Sequence, residues 1–110
     1  MRPITRTQTN VGDDIPVPLD LYLTPFNVTI QCVISGGPTY TVQYTNDDVY
    51  AANYNPATGN WFDLAGITGA VVNAVDSLIS PVTAIRLRVT AVGAPTDSVQ
   101  MRVTQAGVFG

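Results

Sequence analysis

The residues of this chain that could do chemistry are eight aspartates, five arginines and one cysteine, Cys32. The 110 residues include no histidine, no lysine and no glutamate. Histidine is the commonest general base and metal ligand, lysine forms Schiff bases, and glutamate shares acid–base work with aspartate. Because these three residue types are missing, we predict a protein that binds, covers or connects, with no catalytic residue and no cofactor.

Two pairs of adjacent aspartates, Asp13-Asp14 and Asp47-Asp48, are the candidates for a pair of catalytic carboxyl groups. Both pairs lie in turn-like sequence without the apolar pocket that such pairs need, so local hydrogen bonding is the favoured role. The run Asn46-Asp47-Asp48 could contribute oxygen ligands to Ca²⁺, but no EF-hand spacing surrounds it. We therefore predict no metal site.

The aromatic residues concentrate at Trp61-Phe62, with Tyr50 and Tyr54 nearby. A tryptophan on a sandwich strand usually belongs to the core, and we expect this of Trp61. The alternative is a platform for a sugar or a protein built from Trp61, Tyr50 and Tyr54. Cys32 lies on the apolar side of an alternating segment, so we expect a buried thiol without a catalytic role.

The overall composition points to a single domain whose surface is partly covered in use. Hydrophobic residues make up 45% of the chain and charged residues 12%, against roughly 25% in an average protein. The net charge of −3 argues against nucleic acid as a partner. One cysteine allows no internal disulfide, and we find neither a leader peptide nor an apolar stretch of about 20 residues. We expect synthesis in a cytoplasm and no membrane partner.

Apolar and polar residues alternate with a period of two along most of the chain, which predicts β-strands. Seven strands are expected, with an eighth possible at residues 71–75; the seven lie at residues 4–8, 19–23, 28–34, 40–45, 60–64, 85–91 and 98–104. Residues 69–79 also have helix-like spacing, but β-branched residues and flanking glycines make a loop with a short strand at least as favourable. The prediction is an all-β protein, an antiparallel β-sandwich of the jelly-roll or immunoglobulin-like kind.

The first 18 residues form a segment of their own in this interpretation, and residues 19–110 form the sandwich. The segment contains Arg2, Arg6 and several prolines and threonines. It is either an arm that adds a strand to a neighbouring sheet, or a first edge strand of its own sandwich followed by a connector.

The last two predicted strands favour a hairpin, because Val89 can lie opposite Met101 with apolar residues facing apolar residues. Arg88 would then lie opposite Arg102, with Arg86 on the same outer face. Like charges opposite each other are destabilising, so a carboxylate, Asp63, Asp76 or another, should compensate, either in this chain or on a neighbour. We predict that Arg86, Arg88 and Arg102, together with Arg2 and Arg6, contact another protein.

Several stretches in order along nearly the full length resemble a family of small all-β virion proteins of tailed bacteriophages. The stretches are Arg2-Pro3-Ile4-Thr5, Ile15-Pro16-Val17-Pro18-Leu19-Asp20, Leu23-Thr24-Pro25-Phe26-Asn27-Val28, Tyr40-Thr41-Val42-Gln43-Tyr44-Thr45-Asn46-Asp47-Asp48-Val49, Trp61-Phe62, Pro81-Val82-Thr83-Ala84-Ile85-Arg86-Leu87-Arg88-Val89-Thr90 and Val103-Thr104-Gln105-Ala106-Gly107. Some members have a short Asp-Gly-Asn turn where this chain has the stretch Val75-Asp76-Ser77-Leu78-Ile79-Ser80, and an arginine where it has Thr83. No catalytic residue is carried over.

The resemblance implies a structural protein of the virion that binds the capsid surface and reinforces it, a decoration or cement protein. The implied partners are the major capsid protein or other virion proteins, and many copies in a homo-oligomer such as a trimer are expected. Two alternatives stay open: a head–tail connector, tail or fibre-associated virion protein, and a carbohydrate-binding attachment module using Trp61, Tyr50 and Tyr54.

Overall fold

The computed structural model describes residues 4–9, 11–14, 16–19, 23–49, 51–79 and 82–109. These residues form nine strands and one 3₁₀ turn at Pro56–Thr58. The strands are β1 (Ile4–Gln8), β2 (Gly12–Asp13), β3 (Val17–Pro18), β4 (Leu23–Ser35), β5 (Thr39–Thr45), β6 (Phe62–Asp63), β7 (Ala74–Leu78), β8 (Ala84–Ala91) and β9 (Ser98–Phe109). In the described part of the chain, no helix is long and apolar enough to cross a membrane.

The strands form two antiparallel sheets that pack face to face. The first sheet has the order β1-β9-β4-β7, and the second has the order β2-β8-β5-β6, with β3 also paired to β8. Backbone hydrogen bonds from Asp14 N to Leu87 O and from Leu19 N to Thr83 O, both 2.9 Å, extend the pairing along β8. β2 and β3 are therefore two pieces of one interrupted edge strand.

The pairings are nested along the chain, which identifies the sandwich as a jelly roll. The first strand pairs with the last, β2/β3 with β8, β4 with β7, and β5 with β6. This is the pattern of one long hairpin rolled into two sheets. Periodicity along the sequence left jelly-roll and immunoglobulin-like orders open, because it reports which face a residue takes and not which strand lies beside it.

The core fills the space between the sheets and consists of every second residue of the long strands. Burial of these side chains supplies the main driving force for folding, at about 25 cal/mol per Å² of apolar surface. The residues that β4, β5, β8 and β9 contribute to this core are Val28, Ile30, Cys32, Tyr40, Val42, Ile85, Leu87, Val89, Val99, Met101 and Val103. The expected burial of Cys32 is confirmed.

The predicted all-β sandwich is confirmed, and most of its strands occur where alternation placed them. β4 and β9 are longer than expected, and the strand expected at residues 60–64 shortens to Phe62–Asp63. Residues 69–79 contain a strand, Ala74–Leu78, and not a helix. Of the strand expected at residues 19–23, residues 20–22 lie outside the described part.

The described residues of the N-terminal segment belong to the sandwich of their own chain. β1 pairs antiparallel with β9, and Arg6 lies opposite Met101. β2 and β3 pair with β8. Of the two roles considered for this segment, the structure has the edge strand followed by a second, interrupted edge strand.

The predicted hairpin between residues 85–91 and 98–104 is wrong. β8 lies in the second sheet and pairs with β5, whereas β9 lies in the first sheet and pairs with β4 and β1. The connection between β8 and β9 is an arch that crosses from one sheet to the other. Val89 and Met101 are both buried, as expected, but they belong to opposite sheets. Alternation cannot distinguish a neighbour within a sheet from one across the core.

Candidate contact surfaces

The outer face of the second sheet carries a polar network centred on Arg86. The Arg86 Nε donates to Gln43 Oε1 at 2.9 Å, and its Nη1 donates to the carbonyl oxygen of Pro56 at 3.1 Å. Gln43 Nε2 in turn donates to Asp63 Oδ1 at 2.8 Å. Arg86 is only 5% exposed, so these bonds replace the water that its guanidinium loses.

Asp13 supplies the carboxylate that the arginines of β8 need. Its Oδ1 lies 2.7 Å from Arg88 Nε, and its Oδ2 lies 3.5 Å from Arg86 Nη2. Burial lowers the pKa of Arg86, and the Asp13 charge opposes this shift. We expected a compensating carboxylate and named Asp63 and Asp76 as candidates; the structure uses Asp13, which β2 places directly opposite Arg88.

Trp61 lies outside the core, so the expectation of a core tryptophan is wrong. Its ring stacks on the Arg86 guanidinium, 4.3 Å from ring centroid to Cζ, and its Nε1 donates to the Pro56 carbonyl oxygen at 3.1 Å. Arginine and tryptophan attract each other in this geometry through the ring quadrupole. One ring face of Trp61 is therefore occupied by the protein itself.

The described residues of the segment that carries Trp61, 46–49 and 51–61, are held by short polar side chains. The backbone N–H of Asn60 donates to Asp47 Oδ2 at 2.6 Å, and Thr45 Oγ1 donates to the carbonyl oxygen of Asn60 at 2.7 Å. The hydrogen bond from Asn60 lowers the pKa of Asp47. Asn55 Oδ1 caps the 3₁₀ turn by accepting from Ala57 N at 3.0 Å. Asp47 therefore does not have the local hydrogen bonding predicted for it, because its carboxylate accepts from Asn60, which follows 13 residues later.

This segment also encloses a shallow groove of about 340 Å³. Its walls are mostly polar and comprise Asp47, Asp48, Ala51, Asn53, Tyr54, Asn55, Thr58, Gly59 and Asn60. Burial and the charge of Asp47 raise the pKa of Tyr54. Tyr50, the third member of the proposed sugar platform, lies outside the described residues. No group of three potential metal-binding side chains occurs within the described part of the chain.

The outer face of the first sheet, in contrast, lies open. One row of cross-strand neighbours runs Thr5, Arg102, Gln31 and Val75, and a second runs Thr104, Thr29 and Ser77. All but the half-buried Thr104 are exposed, so no described segment covers these two rows. We call the exposed outward residues of this sheet the open face; they include Thr5, Thr7, Thr29, Gln31, Val33, Val75, Ser77 and Arg102.

The five arginines predicted as contact residues do not form one patch. Arg102 lies on the open face, where its Nε donates to Thr5 Oγ1 at 3.3 Å. Arg86 and Arg88 lie on the outer face of the other sheet, so the expected Arg88–Arg102 pair does not exist. Arg6 sits on an inward-facing position of β1, and its buried Nε has no hydrogen-bond partner among the described residues. Arg2 lies outside the described residues.

Two further titratable side chains, those of Cys32 and Tyr40, are buried in the core. Burial raises the pKa of the Cys32 thiol to about 12. Burial, and next the charge of Cys32, raise the pKa of the Tyr40 hydroxyl to about 12, and the hydroxyl donates to the carbonyl oxygen of Val72 at 2.6 Å. A thiol with so high a pKa is not an activated nucleophile.

Sequence reasoning missed the Arg86 network and the open face. Alternation correctly placed Arg86 and Arg102 on outward positions, but Asp13, Gln43 and Trp61 are distant in sequence and meet Arg86 only through the strand order.

The chain was compared with protein-family models, with curated proteins and with solved structures, and none of the three comparisons found a match.

Proposed function

We propose that this chain is a non-enzymatic structural protein of a virion, which binds the outside of the capsid shell and reinforces it. The observation that carries the proposal is the difference between the two sheets. On the outer face of the second sheet, Pro56, Asn60 and Trp61 lie over Arg86 and Thr45, which are buried. The open face of the first sheet presents threonine, glutamine, serine, valine and one arginine to solvent.

The open face has the chemistry of a static protein contact. Its residues offer hydrogen-bond donors and acceptors, and Arg102 adds one positive charge. β4 and β9 pair from Leu23 to Phe109 at one end and from Ser35 to Ser98 at the other. The two central strands of 13 and 12 residues extend roughly 40 Å, and the edge strands β1 and β7, of five residues each, widen the sheet to roughly 20 Å over roughly 17 Å of its length. Such a face is comparable with the roughly 800 Å² that each partner gives to a standard interface.

The architecture and the sequence resemblance support the same proposal. Jelly rolls occur in viral capsid and in lectin domains, so the fold alone leaves a shell protein and a sugar-binding protein open. The resemblance to small virion proteins favours the shell. Because one face of Trp61 is already stacked on Arg86, the aromatic platform that the sugar alternative needs receives less support.

The test uses purified particles of the virus that encodes the chain. Particles lacking the protein should break at a lower temperature than complete particles and at low salt concentrations that complete particles withstand, and labelled protein should bind back to them. The variant Thr29→Arg places a bulky charge on the open face and should weaken binding at least tenfold. The matched control Thr90→Arg makes the same change at an exposed position of β8 and should bind like the parent.

Two results would overturn the proposal. One is that particles without the protein withstand heat and low salt unchanged and the labelled protein never binds them. The other is that Thr90→Arg weakens binding while Thr29→Arg does not, because the contact would then lie on the second sheet.

A further inference from the structure

We infer that a second copy of this chain docks against the margin of the first sheet at β7, forming a two-fold dimer through apolar side chains. The β7 margin is defined here as Val33, Val71, Val72, Val75 and Ile79. The inference goes beyond the proposed function, because it concerns the isolated protein and does not require a virion.

The β7 margin gathers most of the large apolar side chains that the described residues leave exposed. Val71, Val72, Val75 and Ile79 are 59%, 63%, 67% and 76% exposed. They fall within nine consecutive residues. Just before them, Ala70 still pairs with Tyr40 of the second sheet, and the chain then crosses to the first sheet and becomes its edge strand β7. Val33 of β4 is 39% exposed. It points to the same side of the sheet as Gln31, the cross-strand partner of Val75, and is thus a diagonal neighbour of Val75.

The area of the margin suits a pair of copies. Together the five side chains expose on the order of 500 Å², which is as large as the biggest apolar patch on a typical monomer. Two copies facing each other would bury about 1,000 Å², the lower bound of a specific interface. A two-fold contact needs only a patch complementary to itself, and an uncharged apolar patch meets this condition.

The charges of the chain do not oppose this contact. Each copy has a net charge of −3, but none of the five margin residues is charged. Asp76 is on β7, yet it lies opposite the buried Ile30 and its carboxylate points between the sheets, against Gly66. Repulsion between two copies therefore acts at longer range, where salt screens it.

The contact is one of side chains and not an extension of the sheet. The backbone N–H of Ser77, in the middle of β7, donates to Asp76 Oδ1 at 2.8 Å. A neighbouring strand would have to break this bond to pair there. Edge strands are commonly blunted in such ways, so the available surface on β7 is the row of exposed valine and isoleucine side chains.

Sedimentation velocity of the purified full-length chain between 1 µM and 1 mM tests the inference. The chain of 11.7 kDa should form a dimer of twice that mass, with a dissociation constant of about 1–100 µM. Adding salt to 0.5 M should leave the dimer intact or strengthen it. Val72→Asp and Val75→Asp should each raise the dissociation constant at least tenfold, since each would bury an unpaired charge.

The matched control is Val11→Asp, a change of the same kind at a position that is 58% exposed and far from β7 in the fold. It should dimerise like the parent, and circular dichroism should show that all three variants are folded. A chain that stays monomeric at 1 mM overturns the inference. An oligomer that survives both Val72→Asp and Val75→Asp, or is lost in Val11→Asp, also overturns it. Val33 and Val75 belong to both the β7 margin and the open face, whereas Val72 belongs to the margin alone. Val72→Asp should therefore abolish the dimer and bind capsids at least as tightly as the parent, which separates a failed dimer from a failed proposed function.

Discussion

At the scale of single residues, Arg86 joins parts of the protein that are far apart in sequence. Its guanidinium reaches Gln43 of β5, the Pro56 carbonyl oxygen, Trp61 and Asp13 of β2. A buried charge with these partners stabilises the fold only while the partners stay in place, because burying it alone would be costly. Arg86 therefore holds Pro56 and Trp61 against the sheet.

We expect Arg86→Ala to lower the free energy of unfolding by about 2–4 kcal/mol, because the variant leaves buried acceptors unpaired and removes the stacking partner of Trp61. Since Trp61 is the single tryptophan, its fluorescence should shift to the red at the same time. Urea unfolding measures the first effect and emission spectra measure the second.

The control for this prediction is Arg88→Ala on the same strand. Arg88 also pairs with Asp13, but its side chain is 44% exposed, so the loss should be no more than about 1 kcal/mol. Equal losses in the two variants would show that the buried network around Arg86 contributes nothing beyond a surface ion pair.

Some of these single-residue features could be predicted from the sequence and others could not. It predicted that Cys32 is buried and that Arg86 points outward, since both follow from alternation. It placed Trp61 in the core because it could not foresee that an arginine from β8 would lie beneath the ring. Contacts of this kind depend on strand order, which a period of two does not contain.

At the scale of elements, the arch between β8 and β9 decides that these strands enter different sheets. Asp97, at the end of the arch, is 5% exposed and its Oδ2 accepts from the backbone N–H groups of Gly93 and Ala94, at 2.7 and 3.0 Å. The Asp97 carboxylate also lies against Gly36, which has a φ of +85°. The two turns thus pack together at one end of the sandwich.

This packing predicts that alanine substitutions at two adjacent glycines have different effects on stability. Gly36→Ala should lower the free energy of unfolding by about 1–3 kcal/mol, because alanine is strained at positive φ and its Cβ would collide with the Asp97 carboxylate. Gly37→Ala meets nothing within 4 Å and should change stability by less than about 0.5 kcal/mol. Thermal unfolding of both variants checks the pair, and a neutral Gly36→Ala would refute the account of the turn.

The same arch explains why the predicted hairpin failed. The sequence Gly93-Ala94-Pro95-Thr96-Asp97 has turn residues that suit a hairpin as well as an arch. Apolar alternation in β8 and β9 is satisfied in either arrangement, because the inward residues meet across the core in one and side by side in the other. The strands could be predicted, but their partners could not.

At the scale of the whole molecule, the absence of histidine, lysine and glutamate should be visible in the pH dependence of stability. Burial alone would raise the pKa of Asp97, but hydrogen bonds from the backbone of Gly93, Ala94 and Gly37 hold it below the ordinary 3.8. The pKa of Asp47 is also lowered. Groups with a lowered pKa stabilise the fold fully above their ordinary value, and this contribution is lost as the pH falls below it.

The alkaline side has the opposite sign. The pKa values of Cys32 and Tyr40 are raised from 9.0 and 10.0 to about 12, so the unfolded chain releases these protons first and stability falls as the pH rises above 9. We expect the free energy of unfolding, measured in urea, to be nearly constant from about pH 5 to 9. Asp97→Asn should reduce the loss below pH 4, and an acid limb identical to that of the parent would contradict the role of Asp97.

The fold as a whole was predictable to the level of an all-β sandwich, because composition and alternation determine which residues face the core. The open face was not, because alternation does not show which outward side chains are covered by other segments of the chain. Both the proposed contact with a shell and the proposed dimer rest on this difference between a covered and an uncovered sheet.

A density map of virus particles that contain this chain, as the proposed function requires, tests the central claim most directly. The proposal predicts many copies at regularly repeated positions on the outside of the capsid shell, each with the first sheet and Thr29 turned toward the shell. A few copies confined to the neck or tail, or many copies with the second sheet and Trp61 toward the shell, would contradict it.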